Sequence, residues 1–156
     1  AKINAIKTAQ DVNNLLIEME PVGGIGFYGI GVGADAKDSN KNVVYLGLGS
    51  LGLPDREYYV SDDKDSKEKR EKYVQHVTRM LQFLGTNPAQ AKLDADKILA
   101  IEIAMSKPRF DRVELRDDRK TYNPMTVVEL QKLTPSINWK KYLDGVGLTN
   151  LESIVA

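Results

Sequence analysis

The sequence predicts a mainly α fold with a small antiparallel β element: a helical subdomain built on two long antiparallel helices, plus a β-hairpin. Three observations carry this. Two long stretches with helical periodicity are joined by only Gly85 to Asn87, which is too short for anything but an antiparallel turn. Two runs rich in β-branched and aromatic residues flank the polar turn "ADAKDSNKN". Hydrophobic residues make up 42% of the 156, enough for a packed core.

The elements follow in order. Ile3, Ile6, Val12, Leu15, Leu16 and Met19 approximate one apolar stripe of a first helix, which Pro21 and Gly23-Gly24 end. Ile25, Phe27, Tyr28, Ile30 and Val32 alternate with glycines. After the polar turn come Val43, Val44, Tyr45, Leu46 and Leu48, giving an antiparallel pair of unassigned register. Pro54 suits the first position of a short helical turn, Asp55 to Val60. Asp65 with Glu68 forms a capping box for a long helix, Ser66 to Leu84. Its stripe is Tyr73, Val77, Met80, Leu81 and Leu84, and Gly85 terminates it. Asn87-Pro88 starts the second long helix, to Met105, with Ala91, Ala95, Ile98, Ile101 and Met105 facing inward. Thr126 and Glu129 cap a small helix with Leu130 and Leu133 inward. Asn138 caps another, Trp139 to Leu143, ending at Gly145 and Gly147. The chain reads as a single piece, with residues 1–53 a helix plus β-rich segment and residues 54–156 helical.

Composition excludes several functions. Lys plus Arg equals Asp plus Glu, 22 each, so the electrostatic drive for nucleic-acid binding is missing. Cysteine is absent, which removes disulfides and thiolate metal sites. No run reaches the roughly 18 apolar residues of a membrane helix, and no basic start leads into a short apolar stretch. The chain opens without methionine and closes on Val155-Ala156 in mid-pattern, as expected of a mature product or a piece cut from something longer.

The candidate sites are weak. Gly24, Gly26 and Gly29 spell G-x-G-x-x-G. A dinucleotide turn needs a strand before it and a helix after it, and here a helix precedes and β-rich sequence follows. Glycines in a strand mark a bulge or a close backbone approach, and that is the reading kept. His76 is the only histidine, whereas a catalytic zinc takes three protein ligands. Asp38-Asn40-Asn42 and Asp63-Asp65 share letters with calcium loops, but Val43 and Glu68 stand where the required glycine belongs; both are surface turns. Ser50 in "GLGSLG" lacks nucleophile-elbow spacing. Arg109 to Lys120 interleaves both charge signs, the pattern of an ion-paired surface. No catalytic, cofactor-binding or metal residue is assigned.

Two stretches go further. "LGLPDREYYV", Leu51 to Val60, and "TYNPMTVVELQKLTPSINWKKYL", Thr121 to Leu143, closely resemble two segments of the neprilysin family of zinc metalloendopeptidases. The order also matches: a β-rich run, the LGLP turn, two long helices, "SKPRFDRVELRD", then the NPMT stretch. The resemblance covers nearly the whole chain and is nearest to the bacterial endopeptidase O type. It implies a portion of the N-terminal half, largely the helical subdomain that caps the active-site cavity. The family's zinc sits on an H-E-x-x-H helix, which this chain lacks; His76 is followed by Val77-Thr78.

The implied function is therefore a non-catalytic segment that helps to form and restrict access to a substrate chamber for oligopeptides. Its wall would be the two long helices, with Pro54, Tyr58, Tyr59, Asn123-Pro124 and Trp139 acting as packing residues. The implied partners are the missing C-terminal catalytic part of the same chain and the parent's peptide substrates. No cofactor belongs to this chain, and zinc is implied for the parent. The implied location is periplasmic or extracellular. The rival expectation is a freestanding helical module that binds a peptide or protein without catalysis.

Overall fold

The computed structural model describes residues 2–23 and 27–156. In chain order the elements are α1 (Ala9–Met19), β1 (Tyr28–Ala34), β2 (Asn42–Leu48), α2 (Glu57–Val60), α3 (Lys64–Phe83), α4 (Pro88–Ser106), α5 (Asp118–Thr121), β3 (Pro124–Thr126), α6 (Val127–Leu133), α7 (Trp139–Gly145) and β4 (Ser153–Val155). Long helices dominate and strands are few, as the sequence predicts. The chain divides into two units, residues 1–49 with 118–156 and residues 50–117.

In the first unit, Thr8 opens α1. Its hydroxyl accepts from Asp11 N–H at 3.1 Å, and Asp11 returns the bond to Thr8 N–H at 2.9 Å. The helix therefore starts later than its apolar stripe: Ile3 lies in a short 3₁₀ turn and is exposed. A second 3₁₀ turn with Pro21 and a left-handed Gly23, φ +118°, ends it. The hairpin forms as expected, with Tyr28 opposite Leu48 through to Ala34 opposite Asn42. The hairpin is only half of the sheet. Its order is β1-β2-β4-β3, with β4 parallel to β2 at Tyr45–Val155 and antiparallel to β3.

The core of this unit gathers Ile17, Val44, Leu130, Trp139, Tyr142, Leu143 and Ile154. Trp139 donates its indole N–H to Thr134 Oγ1 at 2.6 Å, so its one polar atom is satisfied inside. The Thr126–Glu129 capping box is present, but Leu133 points outward. A seven-residue helix buries one narrow strip, and Leu130 occupies it.

In the second unit, α3 and α4 pack together. Ala91 and Ala95 are fully buried and meet an α3 that buries Val74 and Ser66. Small residues let the helix axes approach, and the seam is correspondingly narrow. Two expectations change as a result. Met80 and Leu84, assigned to the buried stripe, are exposed, and Ile101 on α4 is exposed too. The cap of α3 is Asp63 rather than Asp65: its carboxylate accepts from Ser66 N–H at 2.9 Å and from Ser66 Oγ at 2.7 Å. Asp65 instead pairs with Lys69.

Gly85 ends α3 as expected, at φ +92°. Its N–H donates to Gln82 O at 2.9 Å, and Thr86 N–H donates to Leu81 O at 3.1 Å, the paired bonds of a glycine-terminated helix. No helix among the described residues is long and apolar enough to cross a membrane.

Candidate functional site

The LGLP stretch becomes intelligible from one acidic side chain. Glu102 lies on the face of α4 that carries Ala91 and Ala95, seven residues past Ala95. Its Oε1 accepts from Gly52 N–H and its Oε2 from the Tyr59 hydroxyl, both at 3.0 Å. Tyr59 in turn accepts from Leu53 N–H at 2.6 Å and is 3% exposed. Tyr73 of α3 lies beside Glu102; burial first, then its interaction with the Glu102 carboxylate, push its hydroxyl up to about 12. Burial is likewise the main cause raising the Tyr59 hydroxyl. One carboxylate thus fastens the LGLP backbone and α2 to α4.

Gly52 is required by the same arrangement. A Cβ there would lie 2.0 Å from Tyr73 Oη and 2.4 Å from its Cζ. Arg70 completes the clasp: its Nη1 donates to the carbonyls of Tyr58 at 2.6 Å and Ser61 at 2.9 Å, satisfying the C-terminal end of α2. Lys69 sits 4.5 Å from the centre of the Tyr58 ring. The motif letters are therefore packing and hydrogen-bonding parts. The arrangement orders donors around a carboxylate and presents no activated nucleophile.

In the first unit the NPMT stretch forms β3 and the cap of α6. Asn123 O accepts from Ala156 N–H at 3.1 Å, and the Tyr122 hydroxyl donates to Asp35 Oδ1 at 2.8 Å. A largely apolar groove of about 780 Å³ lies beside α6, α7 and the segment leading to β4, walled by Val127, Val128, Leu143, Leu148 and Leu151. A second, of about 420 Å³, includes Glu20 in its wall.

The weak sequence candidates separate in space and role. Gly24 and Gly26 lie outside the described residues, whereas Gly29 is an ordinary β1 residue opposite Gly47. His76 is exposed on α3. Asp38 accepts from Asn40 N–H at 3.3 Å and pairs with Lys41, as a turn residue does. Arg112 pairs with Asp55. Among the described residues no three His, Asp or Glu side chains are grouped to hold a metal, so the residues present do not fit a zinc site. Sequence reasoning missed Glu102, although an acid at a stripe position of an amphipathic helix was the available signal.

The sequence model for the N-terminal part of peptidase family M13 matches residues 1–156, and the chain belongs to that family. The fold is that of the N-terminal region of an M13 metallopeptidase. Among its relatives, endothelin-converting enzyme 1 of Cavia porcellus is 31% identical over 121 residues, 77% of this chain and 16% of that protein. The zinc metalloprotease Zmp1 of Mycobacterium tuberculosis superposes with a TM-score of 0.88 at 26% identity, over 99% of this chain and 24% of that one. PepO of Lactobacillus rhamnosis shares the fold, with a TM-score of 0.76 at 16% identity. The chain therefore spans about a sixth of the length of the curated relative and a quarter of the solved one.

Proposed function

We propose that this chain is the non-catalytic N-terminal segment of a zinc metalloendopeptidase that hydrolyses oligopeptides, and that it helps to form and restrict access to the substrate chamber. The observation that carries the reading is the whole-chain match to family M13, together with a superposition on a zinc metalloprotease that uses nearly all of this chain and a quarter of the other. In this reading zinc belongs to the parent protein, bound outside these residues. The partners are the C-terminal catalytic part of the same chain and the parent's peptides, and the location is periplasmic or extracellular. The α3–α4 pair supplies a wall of the chamber. Its seam is narrow, and it leaves Phe83 and Leu84 more than 80% exposed at the hairpin end, apolar surface of the kind that seeks a cover.

The test is size exclusion by the longer enzyme. An M13 chain containing this region should cleave a short peptide and spare the same sequence inserted in a folded domain's exposed loop. Disrupting the α3–α4 pair with Ala91→Trp should narrow that difference. Equal cleavage of both substrates by the unaltered enzyme contradicts the chamber role.

A further inference from the structure

The four-stranded sheet of the first unit has two unlike edges. At one, β3 is only three residues long, opens on Pro124 and runs straight into α6, all features that blunt a strand edge. At the other, β1 runs for seven residues with no charged side chain and no proline. Its register with β2 is unbroken from Tyr28–Leu48 to Ala34–Asn42, so no bulge bends it away either. A long, uncharged edge is one that another strand joins readily, and proteins that leave an edge free avoid it.

The register fixes which backbone groups face out. Gly49 N–H donates to Phe27 O at 2.7 Å and Asp35 N–H to Lys41 O at 2.8 Å, which makes the odd-numbered residues of β1 the ones bonded to β2. The N–H and C=O of Tyr28, Ile30 and Val32 therefore point away from the sheet. Among the described residues nothing bonds to those of Ile30 and Val32. The far end is closed by the Tyr45 hydroxyl, which donates to Ala34 O at 3.0 Å. Beside the open part lies the groove of about 420 Å³, walled by Pro21, Ile30, Val32, Val146 and Leu148 with Glu20 as its charged member. Residues alternate in direction along a strand, so every second side chain of an added strand enters that groove. The others lie over Gly29 and Gly31, which leave open space on the opposite face.

We propose that the outer edge of β1 is a docking strand for the part of the M13 chain lying outside these residues, which adds an extended segment to the sheet beside Tyr28, Ile30 and Val32. The choice of an occupant from the same polypeptide is energetic. A few backbone hydrogen bonds and a small groove do not offset the cost of bringing two separate molecules together, whether a free peptide or a second copy. A tethered segment meets the edge at high effective concentration and has already met most of that cost. The chain covers 24% of the Zmp1 chain it superposes on, so a family member has ample sequence outside this region to supply the strand. The inference rests on the reading that these residues belong to a longer M13 chain, and it needs neither the chamber nor catalysis.

The test uses a longer M13 chain containing this region. Hydrogen exchange is resolved to single amides by mass spectrometry and corrected for intrinsic rates. Ile30 and Val32 should exchange within about tenfold of Gly29, Gly31 and Gly33, whose N–H groups are bonded to β2. Faster exchange at Ile30 and Val32 than that marks an edge left to water and would overturn the proposal. Val32→Cys, labelled with benzophenone maleimide in a chain whose other cysteines are removed, identifies the occupant. The expected adduct joins position 32 to a residue outside this region within one molecule. An adduct of twice the mass shows a second copy, and adducts confined to this region, or none, show that no outside strand is there; each of these overturns the assignment. Exchange needs no variant, so it decides the outcome if the labelled chain fails to fold. Peptidase activity of the same sample reports separately on the proposed function: a protected edge in an inactive chain sustains the strand and counts against the enzyme, and an open edge in an active chain does the reverse.

Discussion

Replacing Glu102 by alanine tests the clasp most sharply. Two donors converge on that carboxylate, Gly52 N–H and the Tyr59 hydroxyl. Gly52 is exposed, so its N–H finds water and loses little. Tyr59 is almost wholly buried, so its proton is left without an acceptor, which costs about 1–3 kcal/mol. That loss corresponds to a drop of roughly 0.5–1.5 M in the urea midpoint for a slope near 2 kcal/mol/M. Urea denaturation followed by helical circular dichroism measures it. A double-mutant cycle with Tyr59→Phe should show coupling above about 1 kcal/mol, because both changes break the same bond. A midpoint shift within the roughly 0.5 kcal/mol of an ordinary surface substitution refutes the clasp.

Three further outcomes follow from the same geometry. Gly52→Ala places a Cβ inside the Tyr73 ring edge and should cost about 1–3 kcal/mol, with Tyr73→Leu in the same chain recovering most of it; no loss on the single change would show that the close approach is not rigid. The folded state raises the Tyr59, Tyr73 and Tyr142 hydroxyls above their ordinary value of 10.0, favouring the protonated phenol. Stability should therefore be intact below pH 10 and fall as pH rises toward 12, with phenolate absorbance lagging that of the unfolded chain; a flat midpoint from pH 9 to 12 contradicts this. Asn87→Ala removes the acceptor 3.0 Å from Gln90 N–H at the start of α4 and should cost about 1 kcal/mol by thermal denaturation, whereas Asn87→Asp should cost little.

The long helices were legible because their signals are local. Asn87-Pro88 and Gly85 fix the α3–α4 turn through capping and φ preference alone, whatever the rest of the chain does. The hairpin was legible for the same reason. Strands β3 and β4 were not, since three residues carry no periodicity, and their pairing joins Pro124–Thr126 to Ser153–Val155 and then to β2.

Stripe assignment failed where chemistry outweighed hydropathy. Ile101 is the apolar choice on α4, yet Glu102 turns inward because buried tyrosine hydroxyls need an acceptor. Met80 and Leu84 are apolar, yet a seam set by Ala91 and Ala95 is too narrow to cover them. The G-x-G-x-x-G letters lost their meaning once context was weighed, since Gly29 sits inside β1 with open space where a side chain would go. The Tyr28–Trp139–Tyr142 ring cluster joins β1 to α7, a meeting that only the folded chain creates.

The central claim is that catalysis lies outside these residues. The most direct measurement is the zinc content of the purified 156-residue chain after dialysis against dilute zinc, with oligopeptide hydrolysis assayed on the same sample. The account predicts a zinc-to-protein ratio near zero and no cleavage above the blank. A ratio near one accompanied by peptide cleavage would contradict it.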